Sequence, residues 1–275
     1  MGKVIGVIAI KGGVGKTSAV SSLGASLAND YKKKVLLIDA NYYAPNLGLH
    51  IGILNPQATI HHVLDDKIKI QDAIQETGYG FDILPGSLIY EKINPLKLGE
   101  KLRDLRRRYD IILIDSSPNL NEEILSTMIA SDELLVFTTP DIVTLTATLR
   151  AIKLARERKT PITGIILNKV YDKKFELSLK DIEGASGVSV LAVLPHEVSI
   201  LEALSKNIPS TLHKDSATTK EYRKLAGSLV VEKLKKRTIG NALKIFMKRI
   251  VPGSRIDKQE VNRVLLSEKK LKASI

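Results

Sequence analysis

The run Lys11-Gly12-Gly13-Val14-Gly15-Lys16-Thr17 constrains this chain more than any other segment. It follows an apolar stretch, Val4-Ile5-Gly6-Val7-Ile8-Ala9-Ile10, with the composition of a strand buried on both faces. It precedes residues 19–28, which have the composition of a helix. A strand, a glycine-rich turn and a helix N-terminus make an anion site, because backbone N–H groups converge there and the helix dipole favours negative charge. Lys16 adds a point charge for β- and γ-phosphate groups, and the Thr17 hydroxyl can ligate Mg²⁺. The common phosphate-loop pattern places a glycine six residues before that lysine. Here the position holds Ile10, and a second lysine, Lys11, comes next. A nucleotide polyphosphate is the expected ligand, cradled by Lys11, Gly12, Gly13, Val14, Gly15, Lys16, Thr17 and Ser18.

The rest of the chain alternates between short β-rich runs and helical stretches. The strands expected after the first are Val35-Leu36-Leu37-Ile38, Phe81-Asp82-Ile83-Leu84, Ile111-Ile112-Leu113-Ile114 and Leu134-Leu135-Val136-Phe137. Two more cover 162–167 and 188–194, and helices are expected over 96–108, 144–158 and 218–234. Such alternation predicts an α/β fold: a doubly wound, mostly parallel sheet with helices on both faces. Ligands of these sheets sit at the C-terminal ends of the strands. No linker-like stretch interrupts residues 1–236, so these are expected to form one domain, with 237–275 as a separate tail. No run reaches the length of a membrane-spanning helix, and the N-terminal apolar run is too short for a signal peptide.

Charge is spread unevenly. Of the +12 net charge, residues 231–275 contribute +9 through 13 Lys/Arg and 4 Asp/Glu. The preceding 230 residues hold 29 basic and 26 acidic groups, so the body is close to neutral. An anionic partner would be met mainly at the tail.

With Lys11 ahead of the loop, the segment resembles the deviant phosphate loop of the MinD/ParA family. The resemblance covers roughly residues 1–236 and implies a P-loop NTPase fold that binds ATP with Mg²⁺. In that family the early lysine reaches across a dimer interface to the partner's nucleotide, so Lys11 implies an ATP-dependent homodimer. Asp39, in Ile38-Asp39-Ala40-Asn41, matches switch I and would hold a metal-bound water. The family's second aspartate, credited with orienting the attacking water, is here Asn41. An amide can hydrogen-bond water but cannot take its proton, so slow hydrolysis is expected, unless Asn41 merely closes a turn. Pro45-Asn46-Leu47-Gly48-Leu49 continues the likeness. Tyr42 and Tyr43 suit a partner interface if exposed. Asp115, in Ile114-Asp115-Ser116-Ser117-Pro118, matches Walker B and switch II, which gives Thr17, Asp39 and Asp115 as the metal set. Asn168 would read adenine, and Pro195 would flank it. The matching Thr138-Thr139-Pro140-Asp141 is expected to be structural. The five histidines lack metal-site spacing and are expected at the surface or in turns. Cysteine is absent, which excludes the iron–sulfur carriers and nitrogenase-type reductases of the same superfamily.

Within 238–251, Ile239, Leu243, Phe246, Met247 and Ile250 fall on one apolar helical face, with Lys244 and Lys248 opposite and Arg249 on the flank. Residues 233–237, Lys-Leu-Lys-Lys-Arg, precede it. A basic amphipathic helix suits an anionic bilayer surface, and it resembles the C-terminal targeting helix of MinD proteins. Docking of that face onto the body or a partner protein is the competing reading. The expected protein is thus a cytoplasmic switch, peripherally bound to the inner face of the cell membrane, with an activating protein partner and a role in spatial positioning. The alternative is a ParA-type partition ATPase holding DNA non-specifically.

Overall fold

The computed structural model describes residues 1–89 and 92–230. The expected domain boundary at 236–237 and the tail, with its amphipathic helix, lie outside the described residues. The strands are β1 (Lys3–Ile8), β2 (Val35–Ala40), β3 (Gln75–Glu76), β4 (Asp82–Leu84), β5 (Ile111–Ser116), β6 (Glu133–Thr138), β7 (Ile162–Val170) and β8 (Val190–Pro195). They lie in the order β3-β4-β2-β5-β1-β6-β7-β8, all parallel except the edge strand β3, which runs antiparallel to β4. The described helices are α1 (Lys16–Asn29), α2 (Ile60–Leu64), α3 (Ile70–Ala73), α4 (Leu98–Lys101) and α5 (Glu122–Ala130). Then come α6 (Ile142–Glu157), α7 (Leu179–Ser186), α8 (Val198–Ser205), α9 (Ser210–His213) and α10 (Ala217–Val230). No described helix is long and apolar enough to cross a membrane.

Alternate residues of the central strands feed opposite faces, and both faces are covered. Ile5, Val7, Leu37, Leu113 and Phe137 pack against Leu23 of α1 and Tyr222 and Leu225 of α10. On the other face Leu36, Ile38, Ile112 and Ile114 meet α2, α3 and α4 through Ile60, Val63, Ile70 and Leu98. Beside them Ile8, Leu134, Val136 and Ile165 meet α5, α6 and α7 through Met128, Leu145, Ile152 and Ile182. Burial on both sides is why the strands read as unbroken apolar runs rather than alternating ones. From β1 the chain goes to β2 on one side and later to β6 on the other. That reversal opens the crevice at the C-terminal ends of β1 and its neighbours.

Two expectations about elements are corrected. The helix expected over 96–108 is three short pieces: a 3₁₀ turn Pro95–Lys97, α4, and a second 3₁₀ turn Leu105–Arg107. Tertiary bonds compete with a continuous helix there. Gly2 N–H donates to Arg106 O at 2.6 Å, and the Arg106 guanidinium grips Asp132 at 2.7 Å. The edge strand β3 was not expected, because two residues carry no readable periodicity.

Candidate functional site

Gly13 and Gly15 take left-handed backbone, with φ of 76° and 89°. Gly15 is the N-cap of α1, and no side chain caps that helix. The first N–H groups of α1 therefore remain available to an anion. A side chain at Gly12 or Gly13 would point into open space. The loop is thus walled by backbone alone, which allows phosphate oxygens to come close.

Beneath the loop lies a buried charge cluster. β2 and β5 pair in a register that puts Asp39 opposite Asp115, and both side chains are fully buried. Lys16 Nζ donates to Asp115 Oδ1 at 2.6 Å and also to Ser116 O. Asp39 organises the following loop. Its Oδ2 accepts the N–H groups of Asn46 and Leu47, each at 2.9 Å, and its Oδ1 accepts that of Asn41 at 3.2 Å. Burial, and then the carboxylate of Asp115, push the Asp39 carboxyl up to about 7, against the pull of the Leu47 and Asn41 N–H groups and the Lys16 ammonium. Asp115 Oδ2 is buried and has no hydrogen-bond partner. Two adjacent buried carboxylates, one with an unpartnered oxygen, suit a cation, and Thr17, next to Lys16 in the chain, is buried in the wall of the loop cavity. The donor set is hard oxygen, as Mg²⁺ prefers. Among the described residues no group of three or more His, Cys, Asp or Glu could cage a metal. Water and phosphate would complete the shell, the usual mode for Mg²⁺.

The raised pKa of Asp39 has a testable sign. Between the ordinary aspartate value of 3.8 and about 7, the folded chain holds a proton that the unfolded chain has released. Stability contributed here is therefore lost as pH rises through that window. The melting temperature of the ligand-free chain is expected to fall from pH 5.5 to 7.5, and saturating Mg²⁺ with nucleotide is expected to flatten the slope. A ligand-free melting temperature that rises across this range would contradict the buried carboxylate pair as its main determinant.

The cavity at the loop measures about 310 Å³. Asn168 and Pro195 both line it, as do Lys11 through Ser18 and Asn41. Asn168 serves the loop as well, donating Nδ2 to Val14 O at 2.7 Å. The far wall is apolar, built from Ile200, Leu201 and Leu204 of α8 and Tyr222 of α10. Sequence reasoning missed this wall, whose only local signal was the apolar spacing of α8. Lys11 turns its ammonium to the N-terminus of α6, 3.1 Å from Thr144 Oγ1 and 3.8 Å from Asp141 Oδ1. Asp141 also caps that helix through Thr144 N–H at 2.8 Å. The 138–141 loop is thus structural, as expected, and also holds Lys11.

Two side chains depart from expectation, and a third had none attached to it. Tyr42 is buried, its ring edge-on to His61, so only Tyr43 is exposed. His61 is a core residue, not a surface one. Its Nδ1 accepts Ser87 N–H at 3.1 Å, which leaves Nε2 to donate to Tyr42 O at 2.9 Å. Glu123, unremarked in the sequence, is buried at the start of α5. It accepts the Tyr43 N–H at 3.1 Å, tying the loop after β2 to the helix after β5.

Fold and site together define a P-loop nucleotide-binding protein whose loop carries an additional lysine. Residues 2–162 match the family model described as AAA domain. An uncharacterized ATP-binding protein of Methanocaldococcus jannaschii is 31% identical over 234 residues, covering 84% of this chain and 88% of that protein. The septum site-determining protein MinD of Thermotoga maritima is 30% identical, covering 82% and 87%. The solved structure of MinD from Pyrococcus horikoshii, complexed with Mg-ADP, superposes with a TM-score of 0.80 at 31% identity, covering 84% and 97%. The chain belongs to the MinD/ParA family of P-loop ATPases.

Proposed function

We propose that this protein is a MinD-like ATP switch that dimerises with ATP and engages an anionic membrane surface to position its cargo in the cell. The observation that carries this reading is the junction that Lys16 makes: it lines the cavity with the rest of the phosphate loop and donates to Asp115 of the buried Asp39–Asp115 pair, while Lys11 lines the same cavity. Lys16 and the N–H groups of α1 would hold the β- and γ-phosphates, exchanging the Asp115 and Ser116 oxygens for phosphate oxygens. Thr17, Asp39 and Asp115 would hold Mg²⁺ directly or through water, which neutralises charge on the phosphates. Asn168, Pro195 and the α8 wall would enclose the base. The 46% exposure of the Lys11 side chain supports a role beyond its own cavity, since it is held only by a weak ion pair and one hydroxyl.

Lys11→Ala is therefore expected to leave ATP affinity of the isolated chain within about five-fold of wild type, as for an exposed ion pair. The ATP-dependent dimer, read by sedimentation velocity, should be lost. Equal losses of ATP affinity in Lys11→Ala and Lys16→Ala would remove the cross-interface role.

A single amphipathic helix binds membrane weakly, and pairing two of them in a dimer raises effective concentration. In this reading nucleotide state sets membrane residence, and the proposed location is the inner face of the cell membrane. Co-sedimentation with acidic liposomes, with ATP or ADP, tests this on the full chain and a version ending at Arg237. ATP-dependent binding that truncation removes is the expected result. Binding absent throughout, with a normal ATP dimer, would transfer the proposal to the partition-type reading. The partition-type reading would use the 13 basic residues of 231–275, and steep salt dependence of duplex DNA binding would mark it.

A further inference from the structure

The loop after β2 presents two asparagines to the nucleotide cavity, Asn41 and Asn46. They are not equivalent. Asn41 is engaged within its own loop: Nδ2 donates to Ala44 O, and the backbone N–H reaches Asp39 Oδ1 at 3.2 Å. Its amide closes the turn 41–44, and swinging it toward a substrate would open that turn.

Asn46 has the opposite arrangement. Its backbone is fixed, because the N–H donates to Asp39 Oδ2 at 2.9 Å and the carbonyl accepts from His50 N–H at 3.1 Å. Its Oδ1, however, is buried and has no hydrogen-bond partner. A buried acceptor without a donor is unfavourable, and native structures rarely keep one without a use. The terminal amide torsion is soft, so rotation about it turns the carboxamide toward the cavity without breaking any bond to Oδ1. Asp39 sits behind both residues and holds the loop so that a metal-side carboxylate and this amide stay in register.

We infer that Asn46, rather than Asn41, is the residue of this loop that orients the water attacking the γ-phosphate. The inference rests on the ATPase reading above and assigns one of its parts. An amide oxygen accepts a hydrogen bond but not a proton. A fully ionised polyphosphate offers no hydrogen to such an acceptor, whereas water does. In the step, the water oxygen bonds to the γ-phosphorus as the bond to the β–γ bridging oxygen breaks, its electron pair leaving with ADP. One water proton passes to a γ-phosphoryl oxygen, and the other O–H is the one Asn46 holds. ATP⁴⁻ and water thereby become ADP³⁻ and H₂PO₄⁻. Orientation without proton abstraction agrees with a slow turnover. Asn41 then acts as a positioning residue for the loop.

The test uses the full chain, with single-turnover hydrolysis of Mg-ATP, calorimetric ATP affinity and thermal melting. Asn46→Ala is expected to slow hydrolysis roughly ten- to a hundred-fold, the scale of a misoriented reactant, with ATP affinity and melting temperature close to wild type. Asn46→Asp keeps the acceptor and is expected to recover most of the rate. Asn41→Ala is expected to lower melting temperature and ATP affinity along with the rate. Wild-type turnover in Asn46→Ala with normal ATP binding overturns the assignment of Asn46 alone. A wild-type chain that fails to bind ATP overturns the nucleotide reading itself, and this assignment with it.

Discussion

Lys16→Ala is expected to abolish measurable ATP binding, with affinity falling by roughly two to three orders of magnitude, the effect of truncating a buried charge partner. Two losses coincide in this variant. The phosphates would lose the ammonium of Lys16. Asp115, held by that ammonium at 2.6 Å, is left buried beside Asp39 with no compensating charge. Breaking a buried pair by removing one partner costs about 3–5 kcal/mol. The variant is thus expected to melt lower at pH 7, where the two carboxylates repel, and to recover stability toward pH 5 as the pair takes up a proton. Adding Asp115→Asn separates the two losses, because it should restore stability without restoring ATP binding. Calorimetric titration and thermal melting of both variants provide the check. ATP affinity within ten-fold of wild type in Lys16→Ala would sink the assignment of Lys16 to the phosphates.

The second large effect is expected at Gly15. Its φ of 89° lies where a side chain costs about 1–2 kcal/mol, and an added Cβ would stand 2.4 Å from Asn168 Nδ2. Nδ2 cannot yield freely, because it donates to Val14 O in the same loop. Gly15→Ala must therefore either shift the loop backbone or break the bond that braces it. A destabilisation of about 2–3 kcal/mol is expected, lowering the melting temperature by roughly 4–12 °C for a domain of this size. Because the same backbone presents the N-terminal N–H groups of α1, ATP affinity should fall with it, by at least about ten-fold. Asn168→Ala in the Gly15→Ala background relieves the collision but not the backbone strain, so recovery should be partial. Full recovery would show that the collision alone matters, and an unchanged melting temperature would remove both.

The phosphate loop was legible because its geometry is local. Glycines at fixed offsets, a preceding apolar strand and a following helix specify the cradle with no help from elsewhere in the chain. Asp39 and Asp115 were legible as strand-end carboxylates for a similar reason. What spacing along the chain could not supply was direction. Tyr42 and Tyr43 are sequence neighbours, yet one is buried against His61 and the other is exposed. Lys11 is oriented by Asp141 and Thr144, and Tyr43 by Glu123, all distant along the chain. The apolar wall of the cavity comes from α8 and α10, which meet the loop only after the sheet is assembled.

The amino-acid sequence by itself determined the alternation of strands and helices, the phosphate cradle and the type of side chain at each strand end. These follow from short-range periodicity and from backbone conformations that only certain residues adopt. The tertiary structure decided which of those side chains face one another: the Asp39–Asp115 pair in register, Lys16 between them and the loop, and Asn41 turned inward. Sheet register and helix packing set distances between residues far apart in the chain, and charge and hydrogen-bond energies depend on those distances rather than on sequence separation.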